Sequence, residues 1–139
     1  MAEVSRARDI VLVVDDSPET LSFLTDALEH SGATVLVATE GARALTLVER
    51  ITPDIILMDA VMPGMDGFET CRRLKANAAL AHVPVIFMTG LAEPEHIVEG
   101  LEAGGVDYVT KPIVLDVLLA RIRVHLANAR TAQSARLAL

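Results

Sequence analysis

Several things are scarce in this chain of 139 residues, and each scarcity excludes something. There is a single cysteine, Cys71, so no intrachain disulfide can form and a reducing compartment is the simple expectation. There is no tryptophan and only 3% of residues are aromatic, so the core must be aliphatic and few rings are available to stack on exposed bases. Positive charge is in the minority. A net charge of −7 argues against gripping a nucleic-acid backbone or an anionic membrane surface. No apolar run approaches the ~20 residues of a membrane span. Residues Met1 to Asp9 are mixed and charged and carry no signal-peptide core. A cytoplasmic protein without direct nucleic-acid binding and without membrane contact is expected.

What is present is apolar residues, at 52%, in short runs that stop abruptly. The length suits one domain with one core. Ile10 to Val14 is an apolar run ended by Asp15-Asp16. Ser17-Pro18-Glu19 then opens a helix, with Ser17 as cap, Pro18 at the first helical position and Glu19 at the positive end. Leu21, Leu24 and Leu28 recur at helical spacing, and Gly32 is a helix stop. Thr34 to Ala38 is a second strand, followed by a helix from Ala42 to Glu49 with Leu45 and Val48 inward. Ile55 to Met58 is a third run, apolar throughout, as in a strand buried on both faces. It ends on Asp59, and Pro63-Gly64 prevents its continuation.

A third helix opens at Gly67, with Phe68, Cys71 and Leu74 at three-residue steps. Pro84 to Met88 is a fourth strand, ending on Thr89-Gly90. A fourth helix starts near Pro94 and stops at Gly104-Gly105. Val106 to Val109 is a fifth strand, ending on Thr110-Lys111-Pro112. The last helix starts near Val114 and carries an apolar stripe of Leu115, Leu118, Leu119, Ile122 and Leu126. Five strands alternating with five helices predict an α/β three-layer sandwich of flavodoxin-like (βα)5 type around a parallel sheet. The expected division is a tail over residues 1–8, a domain over 9–126 and a helical extension over 127–139. The extension is rich in alanine and arginine, has nothing obvious to pack against, and suits a linker to an absent output domain.

Chemistry gathers where the strands end. In the strand order 2-1-3-4-5, the ends of strands one, three, four and five share one rim, and ligands bind at that edge of an open α/β sheet. The rim then holds Asp15, Asp16, Asp59, Thr89 and Lys111. Three carboxylates in one crevice repel each other, and oxygen-only ligands point to Mg²⁺ as the relief. A hydroxyl and an ammonium facing that metal complete a site for a phosphoryl group, with Asp59 able to attack phosphorus and form an acyl phosphate.

On these motifs the chain resembles the receiver domain of two-component response regulators, over roughly residues 9–126. They are Val-Val-Asp-Asp-Ser-Pro at 13–18, Leu-Met-Asp-Ala-Val-Met-Pro-Gly-Met-Asp-Gly at 57–67, Met-Thr-Gly at 88–90 and Tyr-Val-Thr-Lys-Pro at 108–112. The resemblance implies that Asp59 accepts the phosphoryl group from a sensor histidine kinase or phosphotransfer protein. It implies Mg²⁺ (or Mn²⁺) held directly by Asp16, Asp59 and the backbone carbonyl of Val61, and through water by Asp15. Thr89 becomes the switch hydroxyl, Tyr108 the switch aromatic and Lys111 the phosphate-binding lysine, with a cis Lys111–Pro112 bond. The face of helix four, strand five and helix five is then expected to bind an output domain, an effector or a second copy. The domain would be a self-phosphorylating switch and not a turnover enzyme. Val61 and Leu91 line the mouth of such sites, and both are apolar here, which predicts slow hydrolysis of the acyl phosphate.

Three other readings compete. A Mg²⁺-dependent aspartyl-phosphate hydrolase carries a second aspartate two residues after the nucleophile, where this chain has Val61. A flavin carrier needs a Ser/Thr/Gly-rich phosphate loop where Asp15-Asp16-Ser17-Pro18 stands. A docking module without phosphorylation has no need of the full set Asp16, Asp59, Thr89 and Lys111. Tyr108 alone could be a fixed, half-buried residue, and Asp66-Gly67 reads as a turn and helix start without chemistry. His30, His82, His96 and His125 are scattered and suggest no ligand cluster.

Overall fold

The computed structural model describes residues 9–138, so the expected tail over 1–8 lies outside the described residues. The strands are β1 (Ile10–Val14), β2 (Thr34–Ala38), β3 (Ile55–Met58), β4 (Val85–Thr89) and β5 (Asp107–Thr110). The helices are α1 (Pro18–His30), α2 (Gly41–Leu47), α3 (Gly67–Ala76), α4 (Pro94–Glu102) and α5 (Leu115–Ala138). All neighbouring strands pair in parallel, in the order β2-β1-β3-β4-β5. Strand and helix ends shift by one or two residues from the sequence expectation. One short 3-10 turn, Ala78–Leu80, was not expected; Asn77 caps it by accepting from the Ala79 amide at 2.9 Å.

The alternation within each strand divides the core in two. Leu12, Val14, Ile56, Met58, Val85 and Phe87 face α2 and α3, where Ala44, Phe68, Cys71 and Leu74 close over them. Val11, Val13, Ile55, Leu57, Ile86 and Met88 face α1 and α5, meeting Leu24, Leu28, Leu118, Ile122 and Leu126. Because both sheet faces are covered, the central strands are apolar at every position but Thr89 at the end of β4, and β3 is buried throughout. Truncating such a side chain, Leu57→Ala for example, costs about 2–5 kcal/mol.

The helix starts follow local chemistry. Ser17 caps α1 by accepting from the Thr20 amide, and Pro18 occupies the first turn. Asp66 caps α3 by accepting from the Glu69 amide at 2.8 Å. The extension is continuous with α5 and, where the sequence offered nothing for it to pack against, its Arg130 reaches back to form an ion pair with Asp9, just before β1. Asp9 is almost fully buried, so the pair anchors the extension to the base of the sheet, opposite the rim of strand ends.

Candidate functional site

Backbone pairing sets the rim. Val14 is in register with Met58, so Asp15 and Asp59 leave adjacent strands side by side. The Asp59 amide donates to the Val14 carbonyl at 2.9 Å, and the Lys111 amide to the Thr89 carbonyl at 2.8 Å. At the rim the end of β3 is thereby tied to β1, and the end of β5 to β4.

The side chains converge as the residue types suggested. Carboxylate oxygens of Asp15, Asp16 and Asp59 all lie within 4.8 Å of one another. Asp15 and Asp59 are buried and Asp16 is exposed. The Lys111 ammonium bridges the two buried acids, 3.1 Å from Asp15 Oδ2 and 3.4 Å from Asp59 Oδ2. The Val61 amide donates to Asp59 Oδ1 at 3.2 Å, and the Ser17 amide to Asp15 Oδ1 at 2.8 Å. The Lys111–Pro112 peptide is cis.

Charge is held here against the preference of a dry site. Burial pushes the Asp59 carboxyl above its ordinary value, and the Asp15 charge adds to this; the Val61 amide and Lys111 only partly offset them. Burial alone would lower Lys111, but its contacts with Asp15 and Asp59 outweigh it and hold the ammonium above its usual value. Three carboxylates without histidine or cysteine form a donor set suited to a hard divalent cation such as Mg²⁺. The exposed Asp16 leaves that cluster open to solvent on one side.

Thr89 is fully buried at the end of β4. Its hydroxyl oxygen accepts from the Leu91 amide at 3.3 Å. The Tyr108 hydroxyl donates to the Leu91 carbonyl at 2.7 Å. Leu91, which the sequence marked only as a mouth residue, therefore joins Thr89 to Tyr108 through its own backbone. The Tyr108 ring is half-buried and packs 6.0 Å from Phe87. Burial raises its hydroxyl above the ordinary value, with Asp59 and Glu99 adding to the shift.

Two glycines matter that sequence reasoning passed over. A Cβ on Gly67 would stand 2.0 Å from the Asp59 carbonyl oxygen and 2.8 Å from Ala60 Cα. The start of α3 thus presses directly on the segment that carries Asp59, and only glycine permits it. A Cβ on Gly100 of α4 would stand 2.9 Å from the Tyr108 ring. A glycine inside a helix was the available signal, since it costs about 1 kcal/mol against alanine and calls for a packing reason.

This parallel sheet, with acids at the switch point between β1 and β3, defines a flavodoxin-like α/β domain whose candidate site lies at the carboxyl ends of its strands. A sequence model of the response regulator receiver domain matches residues 11–123, and the chain belongs to that family, which serves two-component signalling. It is 39% identical over 121 residues to a probable cyclic di-GMP phosphodiesterase of Vibrio cholerae, covering 87% of this chain and 27% of that protein. It is 40% identical over 119 residues to the DNA-binding response regulator MtrA of Mycolicibacterium smegmatis, covering 86% of this chain and 51% of that one. The chain thus spans about half or less of the length of these curated relatives. Among solved structures it is similar to the signal receiver domain of a histidine kinase from Syntrophus aciditrophicus. The TM-score is 0.81 at 35% identity, covering 86% of this chain and 91% of that one. A receiver domain protein from Methanospirillum hungatei gives a TM-score of 0.84 at 27% identity, covering 89% and 98%.

Proposed function

We propose that Asp59 accepts a phosphoryl group from the phosphohistidine of a sensor histidine kinase or phosphotransfer protein, and that the domain thereby switches its surface. The observation that carries this is the meeting of Asp15, Asp16 and Asp59 within 4.8 Å, with Lys111 spanning two of them. In the transfer, an Asp59 carboxylate oxygen bonds to phosphorus as the bond from phosphorus to the donor imidazole nitrogen breaks. The released imidazole takes a proton from solvent. The product is an acyl phosphate on Asp59.

Each neighbour has a task in this reading. Asp16, Asp59 and the Val61 carbonyl would hold Mg²⁺ (or Mn²⁺), with Asp15 beyond a water. When bound, that ion supplies neutralising charge to the phosphoryl oxygens. The Lys111 ammonium, already between Asp15 and Asp59, turns to a phosphoryl oxygen and balances part of the added charge. The Thr89 hydroxyl donates to another oxygen and gives up its contact with the Leu91 amide. The space that Thr89 vacates lets Tyr108 turn inward, and the surface of α4, β5 and α5 changes shape.

That surface is the one we assign to an output domain, an effector protein or a second copy. Residues 9–126 are then the receiver and 127–139 its helical lead toward an output. The domain catalyses its own modification and does not turn over substrate, and it works in the cytoplasm. No helix among the described residues is long and apolar enough to cross a membrane.

A small phosphodonor such as acetyl phosphate, with Mg²⁺, should add the mass of one phosphoryl group to the wild type and none to Asp59→Asn. Intact mass is the suitable readout, because the chain lacks tryptophan. Absence of any Mg²⁺-dependent gain with competent donors or kinases refutes the assignment.

A further inference from the structure

A second cluster of basic side chains lies at the other end of the sheet, where β4 and β5 begin. The length of β4, about 17 Å, separates it from the rim. There the end of α3, the approaches to these two strands and α5 enclose a cavity of about 380 Å³. Its polar lining is Lys75, His82, His125 and Asn128, and Pro84 and Val106 add apolar wall. The two histidines are far apart in the sequence and share this wall only in the fold. No carboxylate lines the cavity among the described residues.

Lys75 is the unusual member. Its ammonium donates to the carbonyl of Ala81 at 3.3 Å and to that of Val83. Its stem lies against Gly104, where a Cβ would stand 2.7 Å from Lys75 Cγ, so the turn after α4 helps to fix the side chain. Burial holds its pKa below the ordinary lysine value, and no carboxylate opposes that shift. A half-buried cation without a counter-charge is costly. Tying α3 to the segment before β4 uses two of the three N–H groups and leaves one. His125 meets Asp107 through Nε2 at 3.0 Å, but Asp107 also holds Arg121 at 2.8 Å, so that acid is already matched by a cation.

We infer that this cavity binds a small phosphate monoester. The donors come from three segments: α3, the connection from α3 to β4, and α5. A tetrahedral phosphate offers oxygens in several directions and can use such donors together, whereas a planar carboxylate offers two oxygens on one side. Ligand pockets run from about 300 to 1,000 Å³, so this one is at the small end yet roomier than a bare phosphate requires. The remaining space, against Pro84 and Val106, suits a small organic group. Lys75 supplies the charge and its remaining N–H, and His82, His125 and Asn128 bond the other oxygens. The ligand in turn supplies the counter-charge that Lys75 lacks. This site is separate from Asp59 and does not depend on its phosphorylation.

Isothermal titration calorimetry of the full 139-residue chain with phenyl phosphate, in chelator, should show saturable binding of one equivalent. Inorganic phosphate should bind more weakly, and phenol, which lacks the anion, not at all. Lys75→Met should weaken phenyl phosphate binding by at least about tenfold, as for loss of a charge-assisted hydrogen bond. His82→Ala, at an exposed position, should weaken it by about threefold. In ¹H–¹⁵N spectra the amides of His82, Val106 and Asn128 should shift on binding, and those of Asp15, Asp59 and Val61 should not. The wild-type spectra and His82→Ala decide the matter even where Lys75→Met loses stability. The proposal is overturned by no saturable binding up to about 10 mM phenyl phosphate, or by phenol or inorganic phosphate binding as tightly as the ester. Unchanged affinity in both variants, or shifts confined to the rim, overturns it as well.

Discussion

Lys111→Met removes the ammonium that bridges two buried carboxylates and keeps a stem of similar length. With Nζ at 3.1 Å from Asp15 and 3.4 Å from Asp59, each attraction is roughly 5 kcal/mol at an effective dielectric of about 20. Those are gross figures. The Lys111 side chain is 27% exposed, and the variant escapes the cost of drying the ammonium. The net loss should be about 2–3 kcal/mol in metal-free protein, toward the low end for breaking a buried pair. Asp15 and Asp59, within 4.8 Å of each other, are then left with no cation between them. Mg²⁺ should therefore recover a larger share of stability in the variant than in the wild type. Urea unfolding followed by far-UV circular dichroism, in chelator and in millimolar Mg²⁺, measures both effects. An unchanged or raised midpoint in chelator would falsify the role given to Lys111. So would a deficit that Mg²⁺ leaves untouched.

Three further outcomes follow from other contacts. Gly67→Ala forces the chain around Asp59 to move, because the intruding carbon meets backbone atoms; a stability loss of about 1–3 kcal/mol and reduced phosphoryl uptake by intact mass are expected. Wild-type uptake in that variant would show that α3 does not set the position of Asp59. Arg130→Ala strands the buried Asp9 carboxylate; since the arginine side chain is 38% exposed, the cost should be about 1–2 kcal/mol, seen as a lower urea midpoint with phosphorylation intact. Val61→Asn places a polar side chain where the wild type is apolar and 56% exposed beside Asp59, and should shorten the lifetime of the acyl phosphate. An equal or longer lifetime counts against the view that the apolar mouth slows hydrolysis.

Much of this protein is legible without coordinates. Each buried strand stops on a polar residue, and a carboxylate after an apolar run marks where the chain leaves the core. Five such runs separated by helical spacing leave few topologies, and the parallel sheet follows from crossovers that turn one way. Asp15, Asp16, Asp59, Thr89 and Lys111 could be listed from the sequence because they occupy equivalent places in successive strand–helix units.

Only the tertiary structure decided how those residues touch. Lys111 bridges Asp15 and Asp59 through space, across a sequence separation of 96 residues in one case and 52 in the other, and no local pattern encodes that choice. The link from Thr89 through Leu91 to Tyr108 runs through backbone atoms, which every residue possesses, so residue type gave no sign of it. Gly67 and Gly100 are needed for what lies against them, the Asp59 carbonyl and the Tyr108 ring, and not for their own conformation. Arg130 looked like part of a free linker until Asp9, 121 residues earlier, proved to be its partner. Periodicity and strand ends are properties of neighbours in the chain, so sequence alone determined the elements and the candidate set at the strand ends. Contacts between distant segments depend on packing, so structure alone decided which atoms hold that set in place.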